Sequence, residues 1–401
     1  MTAFPQRYIR NRFTLTMKVR TVFLVAASLA LCISVRAQTI VFALSYADTP
    51  ASFRARFPHG ALGASHSDDV AMVRNLRKTE IYSLNLADGK RTLLFSDEGM
   101  TFEIKPTNVA LGSGKAFVAG VERGWRTTPS PGVTETPEAI YEIALDGSNH
   151  FRRMFETKQN QSPLFLNPQG TRAVFSVNVN VQDVISIYSV PEWKPLHTFE
   201  LAKILKPHCP ACSLSSYGWL ADGTRLFFNV GVVDDDDDNS DHPNVPGTYI
   251  ASEEGADLGI LSPEMVQLPP SHNAPPVFIT HRFLGQLPDG AFLFEDILPR
   301  TSAARADGGR FLVFSGPDFK VLRQLPQTTP IGVAYFSSSG KYVAYLESRR
   351  QTPKWQWETH ILVKDLVSGE EKDLLTVPPQ NPLSSLEPNV SLHLLGWARN
   401  N

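Results

Sequence analysis

A short unit recurs along this 401-residue chain: a turn ending in glycine, followed at once by an apolar, strand-like run. The copies are Leu111-Gly-Ser-Gly114 before KAFVAG, Asn167-Pro-Gln-Gly170 before TRAVFS and Leu220-Ala-Asp-Gly223 before TRLFF. Leu287-Pro-Asp-Gly290 before AFLFE and Ser337-Ser-Ser-Gly340 before KYVAYL complete the set. The glycines are 56, 53, 67 and 50 residues apart. Glycine supplies the positive φ that a tight hairpin turn demands, and the runs that follow suit a buried or half-buried sheet.

A second unit lies downstream of the first. It reads Ile81-Tyr82-Ser-Leu-Asn-Leu-Ala-Asp-Gly89 before KRTLLF and Ile140-Tyr141-Glu-Ile-Ala-Leu-Asp-Gly147. It returns loosely as Ile187-Tyr188-Ser-Val and clearly as Ile361-Leu-Val-Lys-Asp-Leu-Val-Ser-Gly369. Alternating apolar residues, a turn and another strand make a second hairpin. Two hairpins per repeat give a four-stranded blade, and a period near fifty residues of short strands is the signature of a β-propeller. The composition agrees, with 30 Pro, 26 Gly and 24 Phe but few long helical periodicities.

The blade pattern resembles the TolB-type (WD-like) propeller repeat, whose blades read "W-S-P-D-G-K-x-h-x-F", then "h-Y-h-h-D-h-x-x-G". Tyr217-Gly-Trp219-Leu-Ala-Asp-Gly223-Thr-Arg-Leu-Phe-Phe228 matches best, and the resemblance extends over nearly all of residues 38–401. It implies an all-β propeller and leaves function open, because propellers host unrelated activities. Five internal repeats are clear. Leu394-Leu-Gly-Trp397 resembles an innermost strand at the chain's end, and Thr39–Leu44 the strand that should follow it. Pairing the two would close the ring and remove an exposed edge. Six blades are therefore expected, with seven as the alternative. TolB's separate α/β domain has no counterpart after the leader, which sets TolB's own role and partner apart from this chain.

The N-terminus reads as an export signal. Lys18 and Arg20 precede the apolar stretch Thr21–Val35, and Val35-Arg36-Ala37 offers small residues for cleavage before Gln38. Met17 opens a more typical signal than Met1. The expected organisation is a signal at 1–37 and one propeller domain at 38–401. The stretch is short for a membrane span, no second span follows, and Leu31 before Cys32 is not the small residue of a lipoprotein signal. Residues 1–37 hold six basic side chains and no acid, so their removal shifts the net charge from −2 to −8. That sign argues against nucleic acid and anionic lipid as partners. Signal and resemblance together imply a periplasmic address, with an extracellular one fitting nearly as well, and a monomer is expected.

Cys209 and Cys212, in His208-Cys209-Pro210-Ala211-Cys212, remain after cleavage. Outside the cytosol two thiols this close are expected to form a local disulfide. A redox motif would need a following helix rather than the strand-like Ser213–Tyr217. A zinc site would need two further ligands.

Long insertions stand at Ser45–Val70, Glu122–Ala139, Gly231–Gly247, Asp296–Gly308 and Ser348–Thr359. In a meander they join strands two and three, so all five are expected on one face. Trp125, Arg349, Arg350, Trp355 and Trp357 within them are the candidate ligand-binding residues, because exposed Trp and Arg anchor interfaces; packing of the loop bases is the competing use. Asp234, Asp236 and Asp238 could offer hard oxygen ligands to Ca2+, although the run lacks calcium-loop spacing and a like-charge run is more often a solvated stretch. His66, His242, His272 and His281 look isolated. No G-x-S-x-G elbow is present. The expected function is a non-catalytic binding or scaffold propeller for an envelope protein or glycan. A metal-dependent lyase, lactonase or hydrolase with a site at the channel mouth, and a structural envelope component, are the alternatives.

Overall fold

The computed structural model describes residues 38–47, 76–98, 109–112, 114–121, 138–157, 164–179, 182–210, 212–232, 245–267, 278–298, 309–351, 356–380 and 390–398. These residues form six antiparallel sheets. Blade two is β4 (Val109–Gly112), β5 (Lys115–Val121), β6 (Glu138–Ala144) and β7 (Phe151–Thr157). Blade three is β8 (Phe165–Leu166), β9 (Arg172–Val179), β10 (Gln182–Ser189) and β11 (Pro195–Glu200). Blade four is β12 (Cys212–Trp219), β13 (Arg225–Val232), β14 (Gly247–Ser252) and β15 (Gly259–Pro263). Blade five is β17 (Phe278–Gln286), β18 (Phe292–Leu298), β19 (Gly309–Ser315) and β20 (Val321–Gln327), with β16 (Met265–Gln267) added beside β17. Blade six is β21 (Tyr335–Phe336), β22 (Tyr342–Gln351), β23 (Gln356–Asp365) and β24 (Glu371–Gln380).

Blade one joins the two ends of the chain. Its order is β25 (Val390–Trp397), β1 (Thr39–Ala47), β2 (Leu76–Asn85) and β3 (Arg91–Glu98). Ile40 pairs with Trp397 and Tyr46 with Val390. The innermost strands meet in ring order, β25 with β4, β4 with β8, β8 with β12 and β21 with β25. The fold is therefore a six-bladed propeller closed by the terminal strands, as the repeats predict.

The five repeat glycines, Gly114, Gly170, Gly223, Gly290 and Gly340, all take positive φ, between 65° and 88°. At Gly223 a Cβ would also collide with the Gln169 side chain of the neighbouring blade. The motif tryptophans have a specific task. The Trp219 indole donates to the Phe165 carbonyl 3.1 Å away, and the Trp397 indole to the Tyr335 carbonyl at 2.7 Å. Each ties its innermost strand to that of the preceding blade.

The core is divided into six apolar clusters, one at each seam between blades. Ile40 and Phe42 face blade six, whereas Val41 and Ala43 face blade two. Both faces of a central strand are buried, which is why runs such as Thr39–Leu44 read as continuous apolar sequence.

Two features are absent from the repeat reading. A one-turn helix, α1 (Leu201–Leu205), packs Leu201 and Leu205 between blades three and four. A disulfide links Cys209 and Cys212, with Cα atoms 5.3 Å apart, where the chain passes from α1 into β12. Among the described residues no helix is long and apolar enough to cross a membrane.

Trp397→Ala removes both the closing indole bond and the stacking on Tyr342. It should destabilise the fold by about 3 kcal/mol, in the range of large-to-small aromatic losses, read as a lowered midpoint in urea denaturation.

Candidate functional site

Connections in an antiparallel meander alternate between the two ends of the strands. The glycine turns, between first and second strands, define one rim. The chain between β1 and β2, β5 and β6, β13 and β14, β18 and β19, and β22 and β23 joins second to third strands. The strand ends that carry all five long insertions therefore stand on the opposite rim.

The insertions are shorter than the sequence suggests, because strand pairing continues into them. Ser348–Thr359 is mostly a hairpin: Arg349 pairs with Glu358, Arg350 with Trp357 and Gln351 with Gln356. Residues that can add further ladder bonds across a hairpin do so. Arg350 and Trp357 thus occupy facing positions on β22 and β23. Arg349 is exposed, and its guanidinium is ion-paired with Glu347. Trp125, Trp355, Asp234, Asp236 and Asp238 lie outside the described residues.

Below this rim the seams turn polar. Between blades six and one, Glu80 accepts the hydroxyls of Tyr46 and Tyr82 at 2.9 and 2.8 Å. Burial pushes the Glu80 carboxyl up, but bonds from Lys78, Tyr82 and Tyr46 outweigh it and hold the group below its ordinary value. Tyr82 is pushed up to about 12 by burial and by the Glu80 carboxylate. Between blades five and six, fully buried Glu295 is ion-paired with Arg282 and accepts the Ile331 N–H at 3.2 Å. On the same seam His360 lies 2.6 Å from Asp373 through Nδ1 and 3.5 Å from Glu358 through Nε2. On β25, burial pushes His393 down to about 4.

His281 is not isolated. Its Nδ1 is bonded to Asp296, its ring stacks on Phe294 with centroids 4.1 Å apart, and its backbone N–H donates to the Glu264 carbonyl. Asp296 is its cross-strand partner on β18, fifteen residues away, so no local spacing announces the pair.

A different grouping stands at the glycine-turn rim. His197 Nε2 is 3.9 Å from a carboxylate oxygen of Glu253 and of Glu254, and the three ligand atoms lie within 4.8 Å of one another. Borderline N/O sets of this kind suit a divalent transition metal, but the Arg172 guanidinium is paired with Glu253 and competes for it. The sequence places metal chemistry on the Asp234–Asp238 run. The grouping with ligand spacing among the described residues is on the other rim, from residues more than fifty positions apart.

No family model and no curated protein matches the chain. Among solved structures it is similar to TolB from Acinetobacter baumannii, at 12% identity and a TM-score of 0.48, over 89% of this chain and 66% of that one. This chain thus spans just under two thirds of that protein's length. A putative TolB from Agrobacterium tumefaciens is similar at 13% identity and a TM-score of 0.46, over 79% of this chain and 98% of that one. An oligogalacturonate lyase in complex with manganese is similar at 11% identity and 0.41, over 67% and 68%. Solved TolB propellers are thus among the similar structures, and the likeness is one of fold, which stands independently on the strand order.

Glu80→Gln should destabilise the protein at neutral pH. The folded carboxyl titrates below its unfolded value, so its stabilisation is complete above the ordinary carboxylate range and is lost as pH falls through it. The difference between wild type and variant in urea denaturation should therefore shrink as pH is lowered from about 5 to about 3.

Proposed function

We propose that this chain is an exported binding propeller that recognises an envelope protein or glycan through the rim carrying its long insertions. The supporting observation is the coincidence of all five insertions on strand ends of one rim. A rigid ring that gathers its longest connections on one side has the usual architecture of a recognition surface.

The residues in those insertions fit the task. Trp125, Trp355 and Trp357 carry large rings of the kind that anchor interfaces or stack on sugars, and Arg349 and Arg350 carry planar donors. Asp234, Asp236 and Asp238, in the Gly231–Gly247 insertion, carry the hard carboxylate oxygens that Ca2+ takes as ligands. Signal cleavage before Gln38 delivers the propeller to the periplasm or the exterior, where the Cys209–Cys212 disulfide persists.

The test is affinity co-purification of the tagged protein from its native envelope, beside a Trp355→Ala/Trp357→Ala variant. The expected result is a partner recovered with wild type and reduced at least about ten-fold with the variant, in line with the loss of two aromatic anchors. A partner retained equally by both would move recognition away from this rim.

A further inference from the structure

The turn between the third and fourth strands of a blade leans on the outermost strand of the blade before it. At the seam of blades one and two, the turn after β6 sits against β3. Gly147 donates its N–H to the Leu94 carbonyl at 2.9 Å, and Asn149 Oδ1 accepts the Ser96 N–H at 2.8 Å. At the seam of blades three and four, the turn from β14 to β15 meets β11 in the same way, and it is closely seated. A Cβ on Gly255 would come within 2.7 Å of the Phe199 ring, which packs on the core of this seam. His197, two residues before Phe199 on β11, lies on the same face.

The two seams differ in chemistry. The blade-four turn carries Glu253 and Glu254, and both reach His197. The imidazole Nε2 is 3.9 Å from Oε1 of each carboxylate, and the three ligand atoms lie within 4.8 Å of one another. Arg172 is paired with Glu253 through Oε2, the other oxygen, which is sealed from solvent. Its competition therefore falls on Oε2 and leaves Oε1 turned to the imidazole. A partner on the far oxygen of a ligating carboxylate is the usual outer support of a metal site. A hydrogen bond from the Ser252 side chain, then one from its own backbone N–H, holds the Glu254 carboxyl below its ordinary value. Both features keep the carboxylates ready to bind a cation without first losing a proton.

We propose that His197, Glu253 and Glu254 form a site for a divalent transition metal of the zinc class, which staples the outer turn of blade four to the outer strand of blade three. Two ligands bonded to one cation at about 2.1 Å each stand at most about 4 Å apart, so both His–Glu spacings suit it. The exposed Glu254 side chain has room to close the third. The imidazole nitrogen selects against Ca2+ and Mg2+, which take oxygen sets. This separates the site from the Asp234–Asp238 run. Three protein ligands leave a tetrahedral metal one position for water. Because the ligands come from two blades, only the folded ring presents them together, and binding stabilises it. The site stands on the glycine-turn rim, so it goes beyond recognition by the insertion rim and does not depend on it.

The probe is Zn2+ alone, titrated by calorimetry into the full chain, purified without a histidine tag and stripped with EDTA. Wild type should bind a single Zn2+ that an equal concentration of Ca2+ does not displace. Its melting temperature should rise by about 3 °C once free Zn2+ is a hundred-fold above the dissociation constant. His197→Ala and Glu254→Gln alter partly exposed side chains, so in EDTA both should melt as wild type does. Each should weaken Zn2+ binding at least about ten-fold and abolish the rise. Absence of Zn2+ binding or of the rise in wild type, or wild-type affinity in either variant, would overturn the proposal.

Discussion

The pairing of β25 with β1 is the contact on which everything else in this molecule depends. A chain of blades in sequence leaves two unpaired faces, one at each end, each as apolar as any internal seam. Letting the last strand of the chain serve as the first strand of blade one joins those faces by a ladder of backbone bonds from Ile40–Trp397 to Tyr46–Val390. Closure buries Phe42, Leu392 and Leu394 against blade six. It also fixes the ring in which the meander of each blade presents its second-to-third-strand connection at a common rim. Because the two strands lie some 350 residues apart, the loop-closure entropy of this pairing must be offset by what the seams bury.

Those seams are where the chemistry of this protein is concentrated. Toward the glycine turns they are packed with Phe, Ile, Leu and Val, and the turns are braced by carboxylates accepting the N–H two residues on, as at Asp88, Asp146, Asp222 and Asp289. Toward the insertion rim they open into polar tiers: Glu80 with two tyrosines, Glu295 with Arg282, His360 with Asp373, His281 with Asp296. A wedge-shaped gap between twisted sheets cannot be filled evenly by side chains of similar size. The half left less tightly filled by apolar side chains is where hydrogen-bonded groups find room.

Much of the fold was legible because a repeat displays the same physical demand several times. Each Gly at a first hairpin turn announces a positive φ, and Trp219, in the one Trp-x-x-Asp-Gly copy, marks a strand beside the axis. The departures have local causes without repeat signals. Helix α1 fills the space between β11 and β12, and β16 is a three-residue strap along β17. The hairpin that reaches Gln351 and Gln356 looked like loop because its residues are polar, although ladder bonds do not require apolar side chains.

The candidate sites were far less legible. Trp355 and Trp357 stand out as residues whatever their surroundings, so sequence can nominate them. His281 appeared isolated because its partner Asp296 is set by cross-strand register. His197 and Glu253 likewise come from different blades. The sequence by itself determined the blade, its period, its turns and the manner of ring closure, since these follow from local backbone demands repeated along the chain. Only the tertiary structure decided which charged and titratable groups face one another, because that depends on register and on the angle between neighbouring sheets, neither of which is written in any one segment.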